Sequence, residues 1–163
     1  MTVIIDVIND SSASALPSTE QLQQWCETVV RHLPPSEKPV TVGLRIVDET
    51  EGREINNQYR GRDYATNVLS FGSELPDVVL DTLEEIPLGD LVVCAQVVER
   101  EASEQGKTLL AHWAHMLVHG LLHLQGYDHE TDDEAGVMEG LETRILADLG
   151  FDNPYRLDDT NLN

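Results

Sequence analysis

The histidines of this chain are concentrated in one short stretch. Five of the six lie between His112 and His129, in the sequence HWAHMLVHGLLHLQGYDH. Within it, His119, His123 and His129 follow one another at intervals of four and six residues. Two residues four apart on a helix lie about 40° apart around its axis and about 6 Å apart along it, so two imidazoles can face one ion. The spacing therefore predicts a metal site.

Gly126 is the position at which the chain can reverse and place His129 beside the other two histidines. Glycine readily takes the left-handed conformation at which helices end, so we expect the helix to stop there and residues 127–128 to present His129. Three histidines leave a fourth coordination position open, as in catalytic rather than structural zinc sites. We predict one zinc ion per chain, bound by His119, His123 and His129.

The same spacing is similar to the zinc-protease signature HExxHxxGxxH, with one departure. Gly120 stands where those proteases carry the glutamate that acts as general base. Without that carboxylate, the usual route for deprotonating a zinc-bound water is missing. A zinc hydrolase acting on peptides or small molecules stays an alternative, and it would need a carboxylate from elsewhere, such as Glu130 or Glu134.

Length and composition indicate one globular domain. The chain has 163 residues and 40% hydrophobic content, enough for a real core. No apolar run is long enough to span a membrane, and the sequence MTVIIDVIND lacks the basic region and cleavage site of a secretory signal. Two cysteines do not make a disulfide framework. We expect a cytoplasmic protein without a membrane partner.

The charge is strongly acidic but unevenly distributed. A net charge of -20 is unusual for a nucleic-acid binder, which normally presents a basic surface. Four of the ten basic residues nevertheless fall in one segment, at Arg45, Arg53, Arg60 and Arg62. The sequence therefore allows a local positive site on an acidic body.

The elements predicted from hydropathy suggest a layered domain. Strands are expected at 3–8, 38–48, 68–71 and 88–95, and the last of them reads as buried on both faces. Helices are expected at 18–33, 49–60, 96–105, 108–124 and 132–149, the first opened by a capping box at Ser18 and Gln21. The acidic segment 73–83 is not periodic and is expected to be a loop.

This pattern predicts an α+β fold, a single layered domain in which helices cover a small mixed β-sheet of about four strands. The histidine helix is apolar on its other positions and should be central. We expect residues 1–150 to form the catalytic domain and residues 151–163 to form a loosely held acidic tail.

Three segments resemble the YbeY family, bacterial metal-dependent endoribonucleases implicated in ribosomal RNA maturation. They are HGLLHLQGYDH at 119–129, the run from Asn56 to Phe71 and LGDL at 88–91. Their order and intervals match over roughly residues 38 to 147. Asn67 departs from the family, where many members carry aspartate, and Gly72 departs where many carry proline.

The resemblance implies zinc bound by His119, His123 and His129, and an arginine in the cleft that corresponds to Arg60. It implies an α+β domain with a four-stranded sheet. The implied function is that of a zinc-dependent, single-strand-specific endoribonuclease in late 16S rRNA 3′-end maturation and ribosome quality control. The implied partners are the 16S rRNA precursor, the small ribosomal subunit and ribosome-associated proteins.

The hypothesis is metal-assisted phosphodiester hydrolysis, with Arg60, His119 and His123 as catalytic residues. Arg60 would bind a non-bridging phosphate oxygen and stabilise charge in the transition state. A surface arginine paired with Asp63 explains Arg60 about as well from the residues alone. The second alternative is a non-enzymatic ribosome-assembly factor whose metal is structural.

Three further roles stay open. Asp128 either accepts a proton from a ligating imidazole or only forms the turn. His115 lies one turn before His119, either as a hydrogen-bonding neighbour of the site or as a buried structural residue. Arg62 is a weaker candidate for the role of Arg60, and a solvated surface position explains it better.

Overall fold

Four strands form one mixed sheet in the part of the chain that the computed structural model describes, residues 2–155. They are β1 (Val3–Asn9), β2 (Val40–Val47), β3 (Val68–Gly72) and β4 (Ile86–Cys94), in the spatial order β1-β2-β4-β3. Strands β1, β2 and β4 are parallel, and β3 runs antiparallel to β4. The predicted α+β fold with a four-stranded mixed sheet is confirmed. The pairing directions could not be read from the sequence.

Residues 2–155 also form six helices. They are α1 (Thr19–Arg31), α2 (Glu49–Arg60), α3 (Asp77–Leu80), α4 (Ala95–Glu104), α5 (Leu109–Leu124) and α6 (Asp132–Asp148). The capping box between Ser18 and Gln21 is present at the start of α1. The expectation of a loop throughout 73–83 was wrong, because the segment contains α3. A four-residue exposed helix is too short to produce a helical period in the sequence.

The main core lies between one face of the sheet and helices α1, α5 and α6. A smaller cluster, centred on Val47, Cys94 and Val97, packs with Ile55 of α2 on the other face. The expectation that β4 is buried on both faces was wrong at Asp90, which is exposed. Gly43 on β2 makes room for it, since a Cβ atom there would lie 2.2 Å from the Asp90 carboxylate.

Helix α5 is the central helix of the domain. It contacts α1, α4 and α6 as well as β3 and β4. Gly120 allows a close approach to the sheet, because a Cβ atom there would lie 2.9 Å from Leu91 and 3.2 Å from Val68. The Ser70 hydroxyl donates to the carbonyl oxygen of Gly120 at 3.1 Å. Strand β3 is therefore fixed against the turn of α5 that carries His119.

The segment after α6 returns to the body of the protein. Phe151 packs edge-on against Trp25 at a centroid distance of 6.0 Å, and Pro154 is buried. Of the expected acidic tail, Phe151 and Pro154 are thus packed and Asp152 is exposed, whereas residues 156–163 lie outside the described residues. Among the helices of residues 2–155, none has the length and apolar character needed to cross a membrane.

Candidate active site

Helix α5 and the turn that follows it bring three histidines together. His119 and His123 lie on successive turns of α5, and their Nε2 atoms are 3.0 Å apart. The helix ends just before Gly126, whose φ of +94° reverses the chain. His129 then faces both rings, at centroid distances of 5.7 Å from His119 and 5.2 Å from His123. The local chain reversal follows the sequence prediction.

The donor set fits a divalent metal ion. One nitrogen of each histidine lies within 4.8 Å of the others. Nitrogens bound tetrahedrally to zinc at about 2.05 Å would be about 3.3 Å apart, so a small adjustment of these rings accommodates an ion. Burial lowers the pKa of His123, and the neighbouring His119 and His129 lower it further. A lowered pKa favours the neutral imidazole, which is the form that ligates a metal.

Glu142 lies beside the candidate ligands, and the sequence analysis did not identify it. It lies on α6, is 1% exposed, and its Oε1 atom is 3.2 Å from Nδ1 of His119. Burial alone would raise the pKa of Glu142, but hydrogen bonds and charge from His115 and His119 outweigh it and lower the pKa to about 2. An ionised carboxylate can only accept, so Nδ1 of His119 donates and its Nε2 lone pair faces the other histidines.

His115 belongs to the surroundings of this carboxylate. It is buried, and its Nε2 atom lies 2.6 Å from Oε2 of Glu142. His115, His119 and Glu142 form a second group with the spacing of metal ligands. These atoms already satisfy one another by hydrogen bonding, whereas the His119–His123–His129 group presents nitrogens to a cleft. The three-histidine group is therefore the better metal site.

Arg60 lines the same cleft as the three histidines. A cleft of ≈ 450 Å³ is lined by Arg60, Asn67, Ser70 and Gly72 together with His119, His123 and His129. Arg60 is the last residue of α2, which Gly61 ends in the left-handed conformation at φ +68°. Its Nη2 donates to the carbonyl oxygen of Ser70 at 3.0 Å, and its guanidinium lies 5.0 Å from the centre of the Phe71 ring.

The alternative explanation of Arg60, a surface pair with Asp63, does not hold. Asp63 binds Arg53 through two hydrogen bonds of 2.7 and 2.8 Å. Arg62 donates instead to the Tyr64 hydroxyl at 3.1 Å and does not line the cleft. Of the arginines in this segment, Arg60 is the one that the structure brings to the histidines.

The acidic residues that neighbour His129 in the sequence make hydrogen bonds that shape the backbone. Asp128 accepts the backbone N–H of His129 at 2.8 Å, which is a turn-forming role. Glu134 belongs to the start of α6, where its N–H donates to Thr131. Neither Glu130 nor Glu134 joins the metal-binding groups found among residues 2–155. The carboxylate that contacts the candidate ligand His119 is Glu142, which comes from a different helix.

The protease-like spacing does not create a protease-like site. Gly120 is buried against Leu91 and Val68, on the side of α5 that packs on the sheet. A glutamate there would point into the core rather than toward the cleft. The position is therefore a packing position, and the resemblance to HExxHxxGxxH is limited to the histidines and Gly126.

A second histidine–carboxylate pair lies at the far end of the histidine row. His112 is 2% exposed, and its Nε2 atom lies 3.0 Å from Oε1 of Glu101. Asn67, which lines the cleft, donates to the same carboxylate at 3.0 Å. Asn67 also accepts the backbone N–H of Val68 at 2.6 Å. An aspartate at 67 could not donate to Glu101, so the amide suits this pairing.

Fold and site together define a small α+β protein whose cleft combines an open three-histidine cluster with an arginine. This is the donor arrangement of hydrolases that use a metal ion. The model of the family described as Endoribonuclease YbeY matches residues 6–150. The chain therefore belongs to the YbeY family of endoribonucleases, which are hydrolases acting on RNA.

Similar proteins cover nearly the whole chain. Endoribonuclease YbeY of Pseudomonas fluorescens is 54% identical over 92% of this chain and 95% of its own length. Endoribonuclease YbeY of Pseudomonas putida F1 is 52% identical over 94% of each chain. The solution structure of TM1509 from Thermotoga maritima has a TM-score of 0.57 and 27% identity, covering 88% of this chain and 87% of that one.

Proposed function

We propose that this protein is a zinc-dependent endoribonuclease that hydrolyses phosphodiester bonds of single-stranded RNA. The observation that carries the proposal is the convergence of His119, His123, His129 and Arg60 on one cleft, in a chain of an endoribonuclease family. The same arrangement weighs against a metal with a purely structural role, since three histidines leave a coordination position open.

His119, His123 and His129 would hold the ion. A bound zinc ion supplies Lewis-acid activation of a phosphoryl oxygen or of a water molecule. Zinc suits the site because imidazole is one of its usual ligands and a set of three histidines is typical of catalytic zinc. The buried Glu142 keeps the Nε2 lone pair of His119 directed at the cleft.

Arg60 would bind the scissile phosphate. Its side chain is exposed, and two contacts favour its position at the cleft: Nη2 donates to Ser70, and the Phe71 ring lies beside the guanidinium. The other guanidinium N–H groups can donate to non-bridging oxygens, where they stabilise charge that develops in the transition state. Arg60 therefore orients the phosphate relative to the histidines across the cleft.

The size and charge of the cleft support the choice of one strand over a duplex. Its volume of ≈ 450 Å³ is in the range of pockets for single small ligands, about one or two nucleotides. The body of the protein is acidic, with a net charge of -20, so a long duplex would be repelled over most of its length. Binding limited to the surroundings of Arg60 suits an unpaired segment.

We further propose the biological setting that the family implies. The substrate is the 16S rRNA precursor at its 3′ end, cut late in maturation of the small ribosomal subunit and in ribosome quality control, in the cytoplasm and with ribosome-associated proteins as partners. The catalytic unit comprises residues 1–150. The acidic surface away from the cleft is suited to contacts with basic proteins rather than with RNA.

The proposal is tested by depleting and restoring the metal. Protein stripped with a chelator and then reloaded with zinc is assayed on a labelled single-stranded RNA and on the same RNA annealed to its complement. We expect cleavage of the single strand by the zinc-loaded protein, little cleavage of the duplex, and none by the stripped protein. Equal cleavage with and without metal would contradict the proposal.

A further inference from the structure

One buried carboxylate joins the segment after α6 to the candidate ligand His119. Oε2 of Glu142 lies 2.6 Å from Nε2 of His115 and 2.9 Å from the hydroxyl of Tyr155. Its other oxygen, Oε1, lies 3.2 Å from Nδ1 of His119. Three donors on two oxygens leave the carboxylate a single orientation.

Tyr155 is brought to this position by its own local contacts. Its backbone N–H donates to the Asn153 side chain at 2.8 Å, while Phe151 and Pro154 anchor the preceding residues in the core. The Tyr155 ring meets the His115 ring edge-on, at a centroid distance of 5.4 Å and an angle of 87°. The Tyr155 side chain is partly exposed, and its hydroxyl is the group that reaches the buried Glu142 carboxylate.

His115 contributes hydrogen bonding more than packing. Its Nδ1 atom is buried without a hydrogen-bond partner among residues 2–155. A buried nitrogen without a partner destabilises the fold, so an apolar side chain would serve packing better at this place. What His115 adds is the Nε2–H group that donates to Glu142. A histidine at position 115 is therefore explained by its hydrogen bond to Glu142 and not by packing in the core.

We infer that Tyr155 and His115 are positioning residues, which hold Glu142 so that it fixes the ring orientation and tautomer of His119 for metal binding. This inference rests on the proposed function for the metal, but not on RNA cleavage. Groups that orient a metal-binding histidine typically change metal affinity by about 10–100-fold when they are replaced. The family match ends at residue 150, so Tyr155 lies beyond the part that the family model describes.

The test uses the full-length protein with Tyr155→Phe, Glu142→Gln and the control Glu139→Gln. Glu139 is an exposed glutamate on the same helix, so its replacement removes an equal charge, which also acts on Tyr155, but removes no hydrogen bond of the network. Zinc affinity is measured by competition with a chromophoric chelator. We expect a loss of about 10–100-fold for Glu142→Gln, a smaller loss of a few fold for Tyr155→Phe, and no change for the control.

A second measurement distinguishes an effect on the orientation of His119 from an effect on the stability of the fold. Long-range ¹H–¹⁵N spectra of the metal-free protein report which imidazole nitrogen of His119 carries the proton. We expect the Nδ1–H form in the parent and the control, and a mixture of tautomers in Glu142→Gln. Because neither metal nor RNA is present, this result does not depend on nuclease activity, and loss of cleavage alone would bear only on the proposed function.

Parental zinc affinity together with a parental His119 spectrum in both network variants would overturn the inference. If Glu142→Gln fails to fold, Tyr155→Phe decides, because it removes only one hydroxyl from a partly exposed ring. Folded Tyr155→Phe with weaker zinc binding supports the inference. The same variant with unchanged zinc binding rejects it.

Discussion

Nη2 of Arg60 donates to the carbonyl oxygen of Ser70 at 3.0 Å, which ties the end of α2 to strand β3 at the margin of the histidine cleft. Because Ser70 also donates to Gly120 on α5, one strand residue contacts both the arginine and the helix that carries His119. These contacts place the exposed Arg60 side chain on the side of α2 that faces the cleft.

Replacing Arg60 should impair cleavage more than folding. We expect Arg60→Ala to lower kcat by about 10²–10³-fold, as for loss of one donor to a developing negative charge. Zinc content and the urea unfolding midpoint should stay close to those of the parent. The measurement is single-turnover cleavage of a labelled single-stranded RNA.

The matched control for Arg60 is Arg53→Ala on the same helix. Arg53 pairs with Asp63, both are exposed, and neither lines the cleft. Its loss should leave cleavage unchanged and cost at most about 1 kcal/mol of stability. Equal losses of activity in the two variants would show that Arg60 acts only through surface charge.

The sequence revealed the parts of the site that lie close together along the chain. The four-residue interval of His119 and His123 and the glycine at 126 have direct structural consequences, so the helix and the return of the chain could be predicted. Arg60 was found through its resemblance to a known motif, and its contact with Ser70 depends on the pairing of β3 with β4. That pairing has no signature in a single sequence.

Glu142 could not be found in the same way. It stands in an acidic helix among several other carboxylates, and no fixed interval relates it to His119. Its role depends on the packing of α6 against α5, which is a tertiary contact. The short helix α3 was missed for a different reason, since four exposed residues give no period.

The close contact of α5 with the sheet predicts a stability effect at Gly120. A methyl group there would meet Leu91 and Val68 at 2.9–3.2 Å, so we expect Gly120→Ala to lower the free energy of unfolding by about 1–3 kcal/mol. Gly140→Ala on α6 is the control, because nothing lies within 4 Å of its added methyl group. That change should raise stability by about 0.5–1 kcal/mol. Urea unfolding measures both, and stabilisation by both would contradict the packing account.

His112 should titrate below its ordinary range. Burial is the main cause of its lowered pKa, which Lys107 and His115 lower further, while Glu101 acts in the opposite direction. The imidazole C2 proton, assigned by comparison with His112→Asn, should therefore titrate with a midpoint below the ordinary value of 6.5. A midpoint at or above that value would show that the Glu101 carboxylate outweighs the effect of burial on His112.

The same lowered pKa has a consequence for stability. The unfolded chain binds a proton at His112 near pH 6.5 and the folded chain only at lower pH, so the unfolded state holds more protons between these values. The contribution of His112 to stability is therefore present above about pH 6.5 and is lost as pH falls to the folded-state pKa. Urea unfolding of the parent should lose stability across this window faster than His112→Asn does.

The central claim is that the three-histidine cleft cuts RNA. Its most direct test is cleavage of a labelled 16S 3′-precursor RNA by zinc-loaded protein beside His119→Ala purified identically, since a trace contaminating ribonuclease would survive in both preparations. We predict cleavage by the parent and none by the variant. Equal cleavage by both, or none by either on free RNA and on assembled small subunits, would contradict the account.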